Sequence, residues 1–172
     1  MRKSILILVL SLVLLLTSGI NVQAQSREVS ETGITTWYVT SKVLPLGEGA
    51  IYFSYEATGL TVTDKGEGLF NNATMRNLGG MKIEKSIFKD ERGWAVWNLQ
   101  NGDKVFCTYE MAGNVNPGGV SSAKGTFTII GGTGKAAGIK GSGEVNRTIV
   151  RTASTEGVGQ VYQKGTFKYI LP

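Results

Sequence analysis

The 172-residue chain carries 18 Lys and Arg against 13 Asp and Glu, no His and one Cys. Without histidine, Ser-His-Asp and Cys-His nucleophile pairs and His-based metal sites are excluded, and one cysteine makes no internal disulfide. The formal charge of +5 includes no block of five like charges, so the sequence gives no nucleic-acid footprint.

The first segment reads as an export signal. Arg2 and Lys3 precede an apolar run from Ile5 to Leu16, and Val22-Gln23-Ala24 follows with the small residues of a cleavage site. The run is short of the roughly 20 residues that a membrane span needs. The expected organisation is a signal peptide over 1–24, a flexible N-terminal segment over 25–32 and a single barrel domain over 33–172. Removing Arg2 and Lys3 leaves 16 basic residues against 13 acidic ones, a mild +3. The mature chain is expected to be periplasmic or extracellular, with no stable membrane insertion after cleavage.

From there on, strand signals dominate. Ile34–Val43 and Ala50–Thr63 are rich in β-branched and aromatic residues. Asp64, Lys65 and Glu67 lack the spacing of a calcium loop and read as a turn. Gly68–Lys89 holds a weaker strand pair, broken at Gly79-Gly80. Trp94–Met111 is the clearest hairpin, because Asn101-Gly102 suits a two-residue turn with φ > 0 at both positions. Gly113–Ser122 reads as a loop; strands follow at TFTII, Gly143–Thr152 and Val158–Leu171. Roughly eight strands joined by short turns imply an antiparallel barrel or sandwich.

The segment GTFTIIGGTGKAAGIKGSGEV, residues 125–145, carries seven glycines. Gly132-x-Gly134-x-x-Ala137 fits a dinucleotide fingerprint on paper, but that fingerprint works only if a helix starts there. Gly138, Gly141 and Gly143 fall where the helix would run, each costing it about 1 kcal/mol relative to alanine. Gly131, Gly132 and Gly134 are therefore read as a structural turn, and no nucleotide, metal or other cofactor is expected.

The stretch GTFTIIGGTGKAAGIKGSGE and the hairpin GWAVWNLQNGDKVF resemble the allene oxide cyclase-like and dirigent-like barrels. The resemblance covers roughly Gly93 to Glu144. It implies an all-β, eight-stranded antiparallel barrel of the calycin type with an apolar cavity, often trimeric, whose members handle oxylipins or phenolic radicals. The aromatic that often follows the family's GGTG is replaced here by Ala136-Ala137, so the fold carries over more readily than the chemistry.

A two-residue turn at Asn101-Gly102 sets the expected faces of the hairpin. Trp94, Val96, Cys107 and Tyr109 fall on one face, taken as the ligand cavity. Trp97, Leu99 and Phe106 fall on the other, taken as an outer surface buried by a second copy of the chain. Cys107 has no base beside it and reads as an inert buried thiol. Glu56 and Glu110 are the weak candidates for a catalytic acid or base, against a plain solvent-facing role. The functional expectation is a barrel that binds a small lipophilic molecule without catalysis. The alternatives are a cyclase- or dirigent-type isomerase or stereochemical guide, and a structural oligomer with a filled barrel.

Overall fold

The computed structural model describes residues 26–116, 121–150 and 158–172. The expected signal peptide, residues 1–24, lies outside them. Eight strands run in chain order: β1 (Arg27–Gly47), β2 (Ala50–Thr63), β3 (Ala73–Glu84), β4 (Ile87–Asn98), β5 (Lys104–Asn114), β6 (Ser121–Gly132), β7 (Lys140–Val150) and β8 (Val158–Leu171). Each is antiparallel to its neighbour in sequence, and β1 pairs with β8, from Arg27↔Leu171 to Thr40↔Val158. The protein is an all-β, eight-stranded antiparallel closed barrel. Closure leaves no unpaired strand edge, and with eight strands the lumen is just wide enough for side chains to fill it.

Three expectations about the chain change. Residues 27–32 are the first part of β1, because β8 is long enough to pair with them. Gly79-Gly80 is not a break: β3 runs straight through, and the turn falls at Lys85-Ser86, both with positive φ. Gly79 instead faces Gly93 across β3 and β4. A Cβ on either would strike the Tyr109 hydroxyl, so this glycine pair makes the room that a buried tyrosine needs.

The third change concerns the β4–β5 turn. Leu99 and Asp103 close it through Leu99 N–H to Asp103 C=O (2.8 Å), and Gly102 N–H donates to Leu99 C=O (3.0 Å). Only Gly102 takes positive φ (86°). This is a three-residue loop with a glycine bulge, not the two-residue turn expected. Pairing therefore runs Trp97↔Val105, Ala95↔Cys107 and Trp94↔Thr108, and the period of two moves each pair of faces with it. Trp97, Leu99, Val105, Cys107 and Tyr109 are buried in the barrel, and Trp94 is 64% exposed on its outside.

Packing divides the lumen along its axis. At the end carrying the β2–β3, β4–β5 and β6–β7 connections, Phe70 drops in from the β2–β3 loop. Its ring lies 4.8 Å from Phe167, 5.1 Å from Trp97 and 5.5 Å from Tyr169, with Phe127 packed on Trp97 and Phe167. Each such ring stabilises by about 1.5–3 kcal/mol when fully buried. The Glu31 carboxylate fixes the plug by accepting Leu69 N–H (3.0 Å) and the Tyr169 hydroxyl.

The glycine segment closes the same end as a corner. Gly134–Ala136 is a single 3-10 turn, and the Lys135 N–H is capped by the Asp103 carboxylate (2.9 Å). Gly134 has φ 54°, and a Cβ there would fall on that carboxylate. No helix begins where a pyrophosphate cradle would need one. A Cβ on Gly132 would strike the backbone carbonyls of Ala136 and Lys104, whereas one on Gly131 would meet open space. Ala136 and Ile139, carried by the corner, are fully buried beneath it.

Candidate functional site

The opposite end of the lumen is built differently. A cavity of about 280 Å³ lies there, walled by Trp37, Val39, Phe53, Met81, Ile149 and Val161 and reaching Tyr55 and Arg147. Alternation along β1, β2, β3, β7 and β8 puts these side chains inward, and small or short residues at Ser41 and Gly159 keep its mouth wide. A larger cleft, about 630 Å³, lies at the plugged end between Arg27–Thr32 and the β2–β3 loop, and mixes Arg27 and Lys65 with Glu28, Glu31 and Glu67. Its wall is the Glu31 latch that holds the plug, so the cleft is read as structural and the lumen cavity as the site.

Beneath the cavity is a buried polar cluster. Glu91, 0% exposed, accepts both terminal nitrogens of Arg147, one at 2.6 Å, and the hydroxyl of Tyr55. With its proton committed to Glu91, Tyr55 accepts from Tyr109 at 2.8 Å. Arg147 also lies over the Phe88 ring, 6.0 Å from its centre. A one-residue bulge between Phe88 and Glu91 makes this possible, because it turns both side chains inward although they are three positions apart.

Electrostatics follow from burial. Desolvation pushes the Tyr55 hydroxyl far above the ordinary tyrosine range, and the Glu91 charge pushes it further. Desolvation raises Tyr109 as well, against its hydrogen bond with Tyr55, which lowers it. Desolvation opposes the charge on Arg147, but the hydrogen bonds to Glu91, the Glu91 charge and Tyr55 together outweigh it and hold Arg147 charged above its usual range. The cluster is thus a neutral ion pair with two protonated tyrosines. Burial also pushes the Cys107 thiol up to about 12, which makes it a poor nucleophile.

Of the site residues expected from sequence, Cys107 and Tyr109 line the lumen, whereas Trp94 and Val96 point outward. Glu56 pairs with Arg76 (2.6 Å) and Glu110 with Arg92 (3.4 Å), both on the solvent side of the wall. Neither meets the cavity. The buried acid is Glu91, within the run Asp90-Glu91-Arg92, and its partner Arg147 sits within Asn146-Arg147-Thr148. Both runs read as solvated charge. The signal that finds them is the period of two back from core residues: Trp97, Ala95, Gly93, Glu91, and Ile149, Arg147, Val145. Among the described residues no group of three or more acidic or cysteine side chains is placed to hold a metal.

One solved structure shares the architecture loosely. A pterocarpan synthase dirigent protein is 8% identical, with 84% of this chain and 86% of that one covered, at a TM-score of 0.24. So loose a likeness assigns no residue a role. No family model matches the chain, and no curated protein does.

Proposed function

We propose that the protein is an exported barrel that binds a small lipophilic molecule in its lumen without converting it. The observation that carries this reading is the cavity of about 280 Å³ whose walls are apolar and whose floor is the Arg147–Glu91–Tyr55 cluster. Its size is at the small end of the ~300–1,000 Å³ usual for small-molecule sites, so the ligand is compact. A filled structural barrel would have no such space. Glu91 has both oxygens engaged, which suits a group that orients and anchors better than one that shuttles protons. The test is mass spectrometry of molecules extracted from natively purified mature protein. A stoichiometric lipophilic compound is expected; its absence, together with no binding of apolar fluorescent probes, would overturn the reading.

A second reading has a specific observation in its favour. A buried acid with two tyrosines under an apolar cavity suits an isomerase or stereochemical guide of the cyclase/dirigent kind, which the sequence resemblance also suggests. Turnover of an oxylipin epoxide or a phenolic radical pair, lost in Glu91→Gln, would establish it over simple binding.

Export and assembly belong to the same proposal. Cleavage after Ala24 predicts a mature N-terminus at Gln25. Self-association, a trimer by the family resemblance, would use the outer Leu78–Trp94 pair, which lies side by side on β3 and β4, both residues exposed. Trp97 and Leu99 are inside the barrel and offer no outer face.

A further inference from the structure

Between the cavity and the aromatic plug the lumen holds a second, much smaller chamber of about 20 Å³, whose walls include Trp37, Asn77, Trp97, Tyr109 and Gln163. Three of its wall residues carry four buried polar atoms with no hydrogen-bond partner: Trp37 Nε1, Asn77 Oδ1 and Nδ2, and Gln163 Oε1. The three residues are 5%, 2% and 8% exposed. They come from three different strands, β1, β3 and β8, so one local distortion does not account for them. The other lumen tryptophan behaves differently, since Trp97 donates to Thr61 at 3.2 Å. Leaving a buried polar group unpaired is costly, and native proteins keep such groups few. Four of the five such atoms found among the described residues belong to residues that wall this one chamber; the fifth, Arg147 Nε, belongs to the larger cavity.

We propose that this chamber is a binding site for a single neutral hydroxyl group. Size admits one oxygen and little more, since a water site needs about 10–15 Å³ measured the same way. The donor and acceptor pattern fits an O–H: Trp37 Nε1 can only donate, Gln163 Oε1 can only accept, and Asn77 does either. An ionised group finds no charged side chain on these walls: Arg147, whose charge Glu91 balances, lines the larger cavity instead. An apolar group would leave all four atoms bare. Two sources supply a hydroxyl: a resident water, or the alcohol end of a ligand seated in the larger cavity. Trp37 lines both spaces and is the partition between them. The ligand part of this inference rests on the proposed lipophilic binding; the water part does not.

Proton NMR on the wild-type protein, with the Trp37 indole N–H assigned by its loss in Trp37→Phe, tests the site directly. The expected result is a cross-peak from that indole proton to a long-lived water in the ligand-free protein. Two isomeric probes then separate the sources, 1-octanol and heptyl methyl ether, which differ in whether the oxygen carries a proton. If the alcohol end enters the chamber, its first methylene replaces the water signal at the indole. Octanol then binds about three- to ten-fold tighter than the ether, the worth of one hydrogen bond, and Asn77→Leu erases that preference. If the water signal persists beside bound octanol and the two probes bind equally, the hydroxyl belongs to water. An indole proton that sees neither water nor octanol overturns the proposal, whether or not Asn77→Leu folds. Failure of both probes to bind while the water signal is present would sink the lipophilic-ligand reading and leave the hydroxyl site standing.

Discussion

The two ends of the lumen are made from the same eight strands and have opposite contents. At one end five aromatic rings, led by Phe70, fill the space and Glu31 ties the plug in place. At the other end Trp37, Phe53, Met81 and Ile149 stand back from one another around about 280 Å³. The sequence places large rings at one end and a β-sheet glycine and serine at the mouth of the other. Stability and space are thus separated along the axis, with the ion pair of Glu91 and Arg147 at the boundary. The contrast implies that substitutions should cost much at the plug and boundary and little at the cavity wall.

The boundary should give the largest effect. Arg147→Met leaves Glu91 buried without its partner and is expected to destabilise by about 3–5 kcal/mol in urea or thermal unfolding. Replacing both, Glu91→Leu with Arg147→Met, should recover most of that loss. A single variant near wild-type stability would mean that water reaches the pair and that the boundary is not sealed.

Next comes the direct comparison of the ends. Phe70→Ala should cost about 3–5 kcal/mol, because it empties a close-packed site. Ile149→Ala, beside space that already exists, adds no new void of its own and should cost about 1–2 kcal/mol while weakening ligand binding. Equal costs in matched denaturation curves would erase the distinction between plug and cavity.

A pH titration probes the boundary more gently. Tyr55 and Tyr109 keep their protons in the folded state to well above the ordinary tyrosine pKa near 10. The unfolded chain loses them there, so the folded state binds more protons than the unfolded one above that pH. Stability is therefore fully present below about pH 10 and falls above it, by up to about 1.4 kcal/mol per pH unit for each tyrosine. Tyr55→Phe should flatten that alkaline limb; an unchanged slope would place the titration elsewhere.

Smallest is the corner over the plug. Gly134→Ala should destabilise by about 1 kcal/mol or somewhat more, from its positive φ and the Asp103 carboxylate against it. A neutral result in thermal unfolding would show that the corner yields.

Strand number and the barrel were legible in the sequence because β-branched and aromatic runs between turn residues mark strands locally. Register was not. Asn101-Gly102 marks a tight turn, but Gln100-Asn101-Gly102 forms a three-residue loop, and that single residue exchanges the two faces of β4 relative to β5, leaving Cys107 and Tyr109 inside as expected. Trp94 and Val96 were expected inside for that reason, and Trp97 and Leu99 outside. Glu91 and Arg147 were hidden for another. Each needs the other to be buried, they are 56 positions apart, and nothing local to either run announces a partner. Phe70 stayed hidden because a plug inserted from a loop has no periodicity to betray it. The unpaired atoms of Asn77 and Gln163 belong to the same class: their meaning lies in what faces them across the lumen.

The ladder joining Arg27 to Leu171 has a consequence for the order of events in folding. Seven of the eight pairings join strands consecutive in the chain, and each can zip from its own connection as a hairpin. The β1–β8 seam has no connecting turn and must bring together segments well over a hundred residues apart, at a loop-closure cost the hairpins do not carry. Ring closure is then the slow, committing event, and before it both outer strands carry bare backbone able to accept a strand from another molecule. Once shut, the ring keeps no record of where it was opened. A circular permutant linking residue 172 to residue 26 and cut at Lys85-Ser86 would turn the seam into a hairpin and assemble the same barrel along a different route.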